Sequence, residues 1–405
     1  MTTILEIPRN IYKRHPPGVW IISLVGVLNS IAVSLSLPFM ALYLYRERDV
    51  SMAMVGVIIL ICGLAALVSQ LVAGTIADKL GRRPLLMATM TACILLYFCM
   101  AFSIGYSAPV PLIILIWAAL RSTFSMQRPA FQSMAVDLAP RERMTETFGI
   151  LIIGGNLGFA VGPALGGYLA DWLSFAWLFG LGAFVIGLAF VLVTLFLKES
   201  FKGSTEKVSI GAILSAGKNP QLLYFTLTCF MLYMVSGQLT STLSVYTVSY
   251  AGFTTAQFGT LLTLNGTLIT LIQYPATRLM SRFPLSSALV TGSLLYAMGY
   301  LTLTWVGPYG LALMAIAVIT SGEILCTPSI MTVVGKLAST NWRGRYMAFL
   351  GMGETLGMSL GPLLGGFLLD RFAAQPIFVW GVSALLAVGA AISFGLLGRQ
   401  FKNTS

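Results

Sequence analysis

Twelve apolar runs, each close to the length of a membrane-crossing helix, recur along this chain and constrain its fold more than any other feature. They occupy residues 19–43, 51–76, 84–104, 109–137, 145–170, 173–197, 221–248, 255–279, 285–305, 309–337, 344–369 and 375–397. A bilayer core about 30 Å thick takes about 20 residues of helix. Inside it each backbone polar group must be satisfied within the protein, which leaves helices or closed barrels, and runs of this length select helices. Composition agrees: 57% of the 405 residues are hydrophobic and 9% charged, against about a quarter charged in a soluble domain. The expected fold class is an all-α membrane protein with twelve transmembrane helices.

The net charge of +11 would suggest nucleic acid in a soluble protein. Here the cations follow the positive-inside rule instead, and no nucleic-acid partner is expected. Arg9, Lys13 and Arg14 precede the first run, Lys79, Arg82 and Arg83 lie between runs 2 and 3, and Arg141 and Arg143 between runs 4 and 5. Lys198, Lys202, Lys207 and Lys218 occupy the middle of the chain, Arg278, Arg282, Arg343 and Arg345 the matching later loops, and Arg399 and Lys402 the tail. The opposite loops hold only Arg46, Arg48 and Arg371, each near an acid. Both termini are therefore expected in the cytoplasm, in a multi-pass protein of the cell inner membrane, with no cleavable signal peptide. The first 17 residues read as a poorly ordered terminus or a short interfacial segment. His15, the single histidine, falls in that tail, and the five cysteines fall inside the runs without metal spacing. No metal site, cofactor or catalytic constellation is expected, and the protein is read as a monomer.

The chain repeats itself. Gly158-x-x-x-Gly162-Pro163-x-x-Gly166-Gly167-x-x-x-Asp171 returns as Gly357-x-x-x-Gly361-Pro362-x-x-Gly365-Gly366-x-x-x-Asp370, an offset of 199 that also maps Pro129 onto Pro328. Glycines four apart let helix backbones approach closely, and each proline removes a backbone donor. Parallel repeats of this kind are a transporter plan. The expected organisation is a six-helix half over 1–197, a cytoplasmic linker over 198–219, and a pseudo-symmetric six-helix half over 220–405.

The segment Gly74-Thr-Ile-Ala-Asp78-Lys79-Leu-Gly81-Arg82-Arg83 packs an acid, three cations and two glycines between two apolar runs. Its pattern, G-x-x-x-D-[RK]-x-G-[RK]-[RK], resembles the signature loop between helices 2 and 3 of the major facilitator superfamily. The glycine element of run 5 resembles the antiporter motif of that superfamily's drug exporters, with plain helix packing as the competing reading. Gly322-Glu323 followed by Thr327-Pro328-Ser329 resembles run 10 of its twelve-helix drug:proton antiporters. The resemblance implies alternating access, with runs 1, 4, 7 and 10 around the cavity. Gly74, Asp78, Lys79, Gly81, Arg82 and Arg83 with Asp137 read as a conformational latch, in which Arg82 bridges Asp78 and Asp137 at the cytoplasmic ends of runs 2 and 4, with positive charge that only sets orientation as the competing reading.

Charges near the middle of runs are few: Arg121, Glu323 and Glu354, with Arg128 one heptad from Arg121. A central charge costs at least about 2.5–3.5 kcal/mol on insertion scales, so each is a functional candidate. Glu323, then Glu354, are candidate proton carriers, and Arg121 a candidate counter-ion or anion ligand. Asn29, Asn156, Gln238 and Asn265 with Phe124, Tyr233 and Tyr246 form a candidate substrate surface together with Arg121, Arg128 and Glu323. That surface is apolar and aromatic with sparse polarity, which suits a lipophilic compound. No G-x-x-x-x-G-K-[ST] occurs, so a gradient is the expected energy source. The expected function is proton-coupled export of lipophilic or amphiphilic compounds, with protons, a small-molecule substrate and membrane lipid as partners. Transport of an organic or lipid-like anion, and a non-transporting membrane sensor, remain open, as does sodium in place of protons.

Overall fold

The computed structural model describes residues 15–140, 143–200, 210–280, 282–339 and 342–403, without the side chains of 74, 75, 77–79, 145, 210, 212 and 399–403. Among these residues no strand occurs and long helices dominate. We number the helices by span. Span 1 is Pro17–Ser36, continued through a 3-10 turn into Met40–Arg46; spans 2 to 6 are Met52–Leu80, Arg82–Gly105, Val110–Leu138, Met144–Trp172 and Phe175–Phe196. A short helix, Ile210–Ala216, precedes span 7, which is Pro220–Gly237 extended through irregular turns to Tyr250. Spans 8 to 12 are Thr255–Met280, Leu285–Thr302, Tyr309–Leu337, Arg343–Phe372 and Pro376–Asn403.

Ten of these helices are long and apolar enough to cross a membrane. Spans 8 and 11 are long, at 26 and 30 residues, but less apolar. Gln257, Asn265, Gln273 and Arg278 dilute the first, and Arg345, Glu354 and many glycines the second. Exposed Leu95, Phe98 and Phe102 on span 3, and Phe184, Leu188, Val191 and Leu195 on span 6, form apolar stripes at helical spacing. Such stripes need a lipid solvent.

The chain divides into two compact units, and the division does not follow the middle of the sequence. One contains residues 1–36, 65–162 and 175–207, the other 37–64, 163–174 and 208–405. In the first unit span 3 packs along spans 4 and 6, and span 1 along span 6. In the second, span 9 packs along spans 10 and 12, and span 7 along span 12. These are the same neighbours six spans later, so the sequence repeat is also a repeat of packing. The glycines make the close approaches. A Cβ at Gly158 would lie 2.5 Å from the Val27 carbonyl oxygen of span 1, and one at Gly357 would lie 2.9 Å from the Phe230 carbonyl oxygen of span 7. Gly162 faces Ile31, and Gly361 faces Met234, in the same way.

Span 7 begins with a built cap. The Asn219 side chain accepts from the amides of Gln221 and Leu222 at 2.9 and 3.1 Å, with Pro220 at the first helical position.

Candidate functional site

The start of span 3 gathers several charged contacts of the first unit. Gly81 has φ +93° and ψ 164°, a region that side chains with a Cβ rarely enter. A Cβ there would also lie 2.7 Å from Glu199 Oε2. Glu199 comes this close because its carboxylate accepts from the amides of Arg82 and Arg83, at 3.2 and 3.0 Å. It thereby satisfies two orphan donors at the N-terminus of span 3. Arg82 forms an ion pair with Asp137 and donates to the Ser133 carbonyl at 2.9 Å. Arg83 donates to the Thr194 carbonyl at 2.7 Å. The sequence pattern marked Gly81, Arg82 and Asp137 but gave no sign of Glu199, which lies more than a hundred residues away. The surroundings of Gly74 and the side chains of Asp78 and Lys79 lie outside what is described, so only the Asp137 arm of the expected bridge is seen.

His15 is a correction. Instead of lying in a loose tail, it is buried against the start of span 5, with Glu146 Oε2 at 3.3 Å from Nε2 and Thr147 Oγ1 at 3.4 Å from Nδ1. Trp20 meets the ring edge-on at 6.3 Å. An imidazole with two polar partners and an aromatic neighbour is cheaper to bury than its sequence position implies.

Further into the first unit, residues 121–126 of span 4, including Arg121 and Phe124, are all half-buried. Phe124 packs edge-on against Tyr97 at 5.8 Å. Arg128, seven residues on, is exposed and has no carboxylate partner among the described residues of its unit. Ser30 Oγ donates to the Gly155 carbonyl at 2.6 Å, which brings the Asn29 and Asn156 turns of spans 1 and 5 together. Both asparagines are half-buried, and Asn29 Oδ1 has no hydrogen-bond partner among the described residues.

In the second unit Glu323 is held by span 8. Asn265 Nδ2 donates to Glu323 Oε2 at 3.0 Å and to Thr320 Oγ1 at 3.0 Å, and Thr320 Oγ1 donates back to the Ile316 carbonyl at 2.7 Å. Among the described residues of this unit, no Lys or Arg lies within ion-pair distance of Glu323. Asn265 and Glu323 were separate candidates in the sequence; the structure makes them one. Glu354 and Tyr233 are half-buried on spans 11 and 7.

Two other candidates sit deeper than a substrate surface requires. Gln238 is fully buried where span 7 breaks. It accepts from Ser383 Oγ at 3.1 Å, and Gly365 lies against it. Tyr246 is buried edge-on against Trp380 at 5.2 Å.

The second unit also contains a feature that the sequence displayed without explaining. Asp171, at the end of span 5, accepts from the Thr255 and Ala256 amides at 3.0 and 2.8 Å. Asp370, at the end of span 11, accepts from the Met52 and Ala53 amides at 2.9 and 2.7 Å. Each repeat aspartate thus caps the first turn of a helix in the other half of the sequence. The preceding glycines fit the same seam. Gly167 and Gly366 lie against the carbonyls of Thr255 and Met52, and Gly259 and Gly56 lie against the backbone around Pro163 and Pro362. Tyr45 and Tyr250 add a hydroxyl–hydroxyl contact of 2.5 Å between the ends of spans 1 and 7.

A family model described as Major Facilitator Superfamily matches residues 22–362. The chain is 24% identical to the "Uncharacterized MFS-type transporter YttB" of Bacillus subtilis, over 96% of this chain and 97% of that protein. It is 26% identical to the "Multi-drug resistance efflux pump PmrA homolog" of Lactococcus lactis, over 89% and 90% of the two chains. Among solved structures, a POT family transporter in complex with 5-aminolevulinic acid superposes with a TM-score of 0.80 at 15% identity, covering 95% of this chain and 97% of that one. At that identity the likeness establishes the fold.

Proposed function

This chain belongs to the Major Facilitator Superfamily, and on that premise we propose that it exports lipophilic or amphiphilic compounds across the inner membrane in exchange for protons. Both termini and the 198–219 linker lie in the cytoplasm in this reading, and the protein acts as a monomer by alternating access between two six-helix halves.

The observation that carries the proposal is the Glu323 cluster. Glu323 is an ionisable side chain within a membrane span, held by a neutral amide. An unpaired buried carboxylate costs far more than a neutral acid, so a change in its surroundings during the cycle would load or release a proton. Asn265 supports either state, because its amide can donate to a carboxylate oxygen and to the carbonyl oxygen of a carboxylic acid. Glu354 is the second candidate carrier, and Arg121 the candidate counter-ion.

The twin aspartate seam supports the alternating-access part. It joins spans 5 and 8, and spans 11 and 2, through caps that must break if those helix ends are to separate. The Arg82–Asp137 pair, with Asp78, is the proposed latch. The name of the Lactococcus relative is consistent with efflux of drugs.

Glu323→Gln in proteoliposomes tests the reading. It should abolish pH-driven uphill transport while downhill exchange persists. Full pH-driven accumulation by this variant would remove Glu323 from the mechanism.

A second reading, transport of an organic anion, draws on Arg128, which is exposed and has no carboxylate partner among the described residues of its unit. Loss of anion binding in Arg121→Ala and Arg128→Ala, with cation binding intact, would favour it.

A further inference from the structure

The second unit holds a cavity of about 930 Å³ that is separate from the Glu323 cluster. It opens among the first turns of spans 7 and 9, the last turns of spans 8, 10 and 12, and Phe283 and Pro284 between spans 8 and 9. These turns share one end of the bundle, the end that the distribution of cations assigns to the cytoplasm. Ser286 and Ala288 on span 9, and Ser329 and Thr332 on span 10, are the small residues of its lining.

Two contacts support the walls. Pro328 cannot donate to the Ile324 carbonyl, and Gln273 Nε2 of span 8 fills that acceptor at 3.1 Å. Gly398 of span 12 lies directly against Ser286. Phe225 and Phe394 pack at 5.6 Å and form part of the apolar wall. Lys336 also lines the cavity, in the last turn of span 10. It is exposed and has no carboxylate partner among the described residues of its unit.

We propose that this cavity binds a single-chain amphiphile with an anionic head, such as a fatty acid, which enters from the cytoplasmic leaflet with its head on Lys336. The volume falls in the range that holds one drug-sized ligand, about 300–1,000 Å³. The apolar wall suits the chain, and the Lys336 ammonium, which has no carboxylate partner among the described residues of its unit, suits a carboxylate. The site is independent of the exporter reading, because it uses neither Glu323 nor Asn265.

The test uses purified full-length protein in phosphatidylcholine nanodiscs, photolabelled with a diazirine-bearing palmitate. Label should concentrate in peptides from the start of span 9 and the end of span 10. Palmitate should compete and hexadecanol should not. Lys336→Gln should cut labelling about tenfold, the loss expected of one charge-assisted bond, while Lys336→Arg keeps it. Thr332→Trp, which fills the cavity, should abolish it, and Leu385→Trp on the exposed face of span 12 should leave it unchanged.

Equal competition by hexadecanol, unchanged labelling in Lys336→Gln or Thr332→Trp, or label spread evenly over the lipid-facing spans 3 and 6 would overturn the proposal. So would displacement of the label by phosphatidylglycerol in the nanodisc, which would make the cavity a phospholipid site. Labelling that persists in Glu323→Gln separates this site from the coupling mechanism.

Discussion

Replacing Asp171 and Asp370 with asparagine should loosen the seam that joins spans 5 and 8, and spans 11 and 2. Each carboxylate accepts two amide hydrogen bonds at 2.7–3.0 Å from the first turn of a helix. Asparagine keeps one acceptor oxygen and loses the charge that complements the helix N-terminus. A charge in that position contributes about 0.3–1 kcal/mol at exposed sites, and both aspartates are exposed. With one hydrogen bond lost at each site as well, each single variant should lose about 1–2 kcal/mol of seam stability, and the double variant about 2–4 kcal/mol, a factor of about 30–900 in the closed-to-open ratio. Spin labels at Leu173 and Thr254, both exposed and flanking the Asp171 cap, would report the change as a growing long-distance population in pulsed dipolar spectroscopy. The single variants should fall between the wild type and the double variant. A double variant with the wild-type distance distribution would show that the glycine packing alone closes the seam, and the argument from charge would fail.

Gly81→Ala should destabilise the protein by about 1–3 kcal/mol, because the backbone there lies in a region nearly exclusive to glycine and the new methyl meets Glu199; a thermal unfolding midpoint equal to the wild type's would refute this. Glu199→Gln should weaken the N-terminal cap of span 3 by about 0.3–1 kcal/mol, and its effect should not add to that of Gly81→Ala, because both act at one contact. Gln273→Leu leaves the Ile324 carbonyl without a donor and should cost about 1–3 kcal/mol, whereas a neutral result would mean that another group reaches that oxygen. Cysteines placed at Ser107 and Ser204 should label from opposite sides of the membrane, and same-side labelling would overturn the proposed topology.

Much of the architecture was legible because its determinants are local. Run length gave the helices, and the repeat of Gly158–Asp171 at Gly357–Asp370 marked spans that make equivalent packing contacts. Gly81 was legible for the same reason, since its role follows from one backbone angle. What escaped the sequence was pairing between distant residues. Asp171 and Asp370 were visible as members of the repeat, but their partners are amides on other helices, and amides carry no residue signature. Glu199 fell unremarked in the expected 198–219 linker and His15 in a tail, although each finds a built polar site. Glu323 and Asn265 were both singled out for polarity within apolar runs. Their contact depends on the rotation of spans 8 and 10 about their own axes, which side-chain periodicity alone does not fix. Spans 8 and 11 fall short in apolarity where their polar residues serve internal contacts, and Gln273 on the Ile324 carbonyl is one such case.

The most direct test of the central claim is proton movement by the wild-type protein itself. Purified protein in liposomes loaded with a pH-sensitive dye, with an acidic lumen, would be challenged with a lipophilic cation such as ethidium. The account predicts substrate-dependent proton efflux together with ethidium accumulation above its outside concentration, both lost in Glu323→Gln. Ethidium movement without any proton flux in the wild type, or equal proton flux in Glu323→Gln, would contradict it.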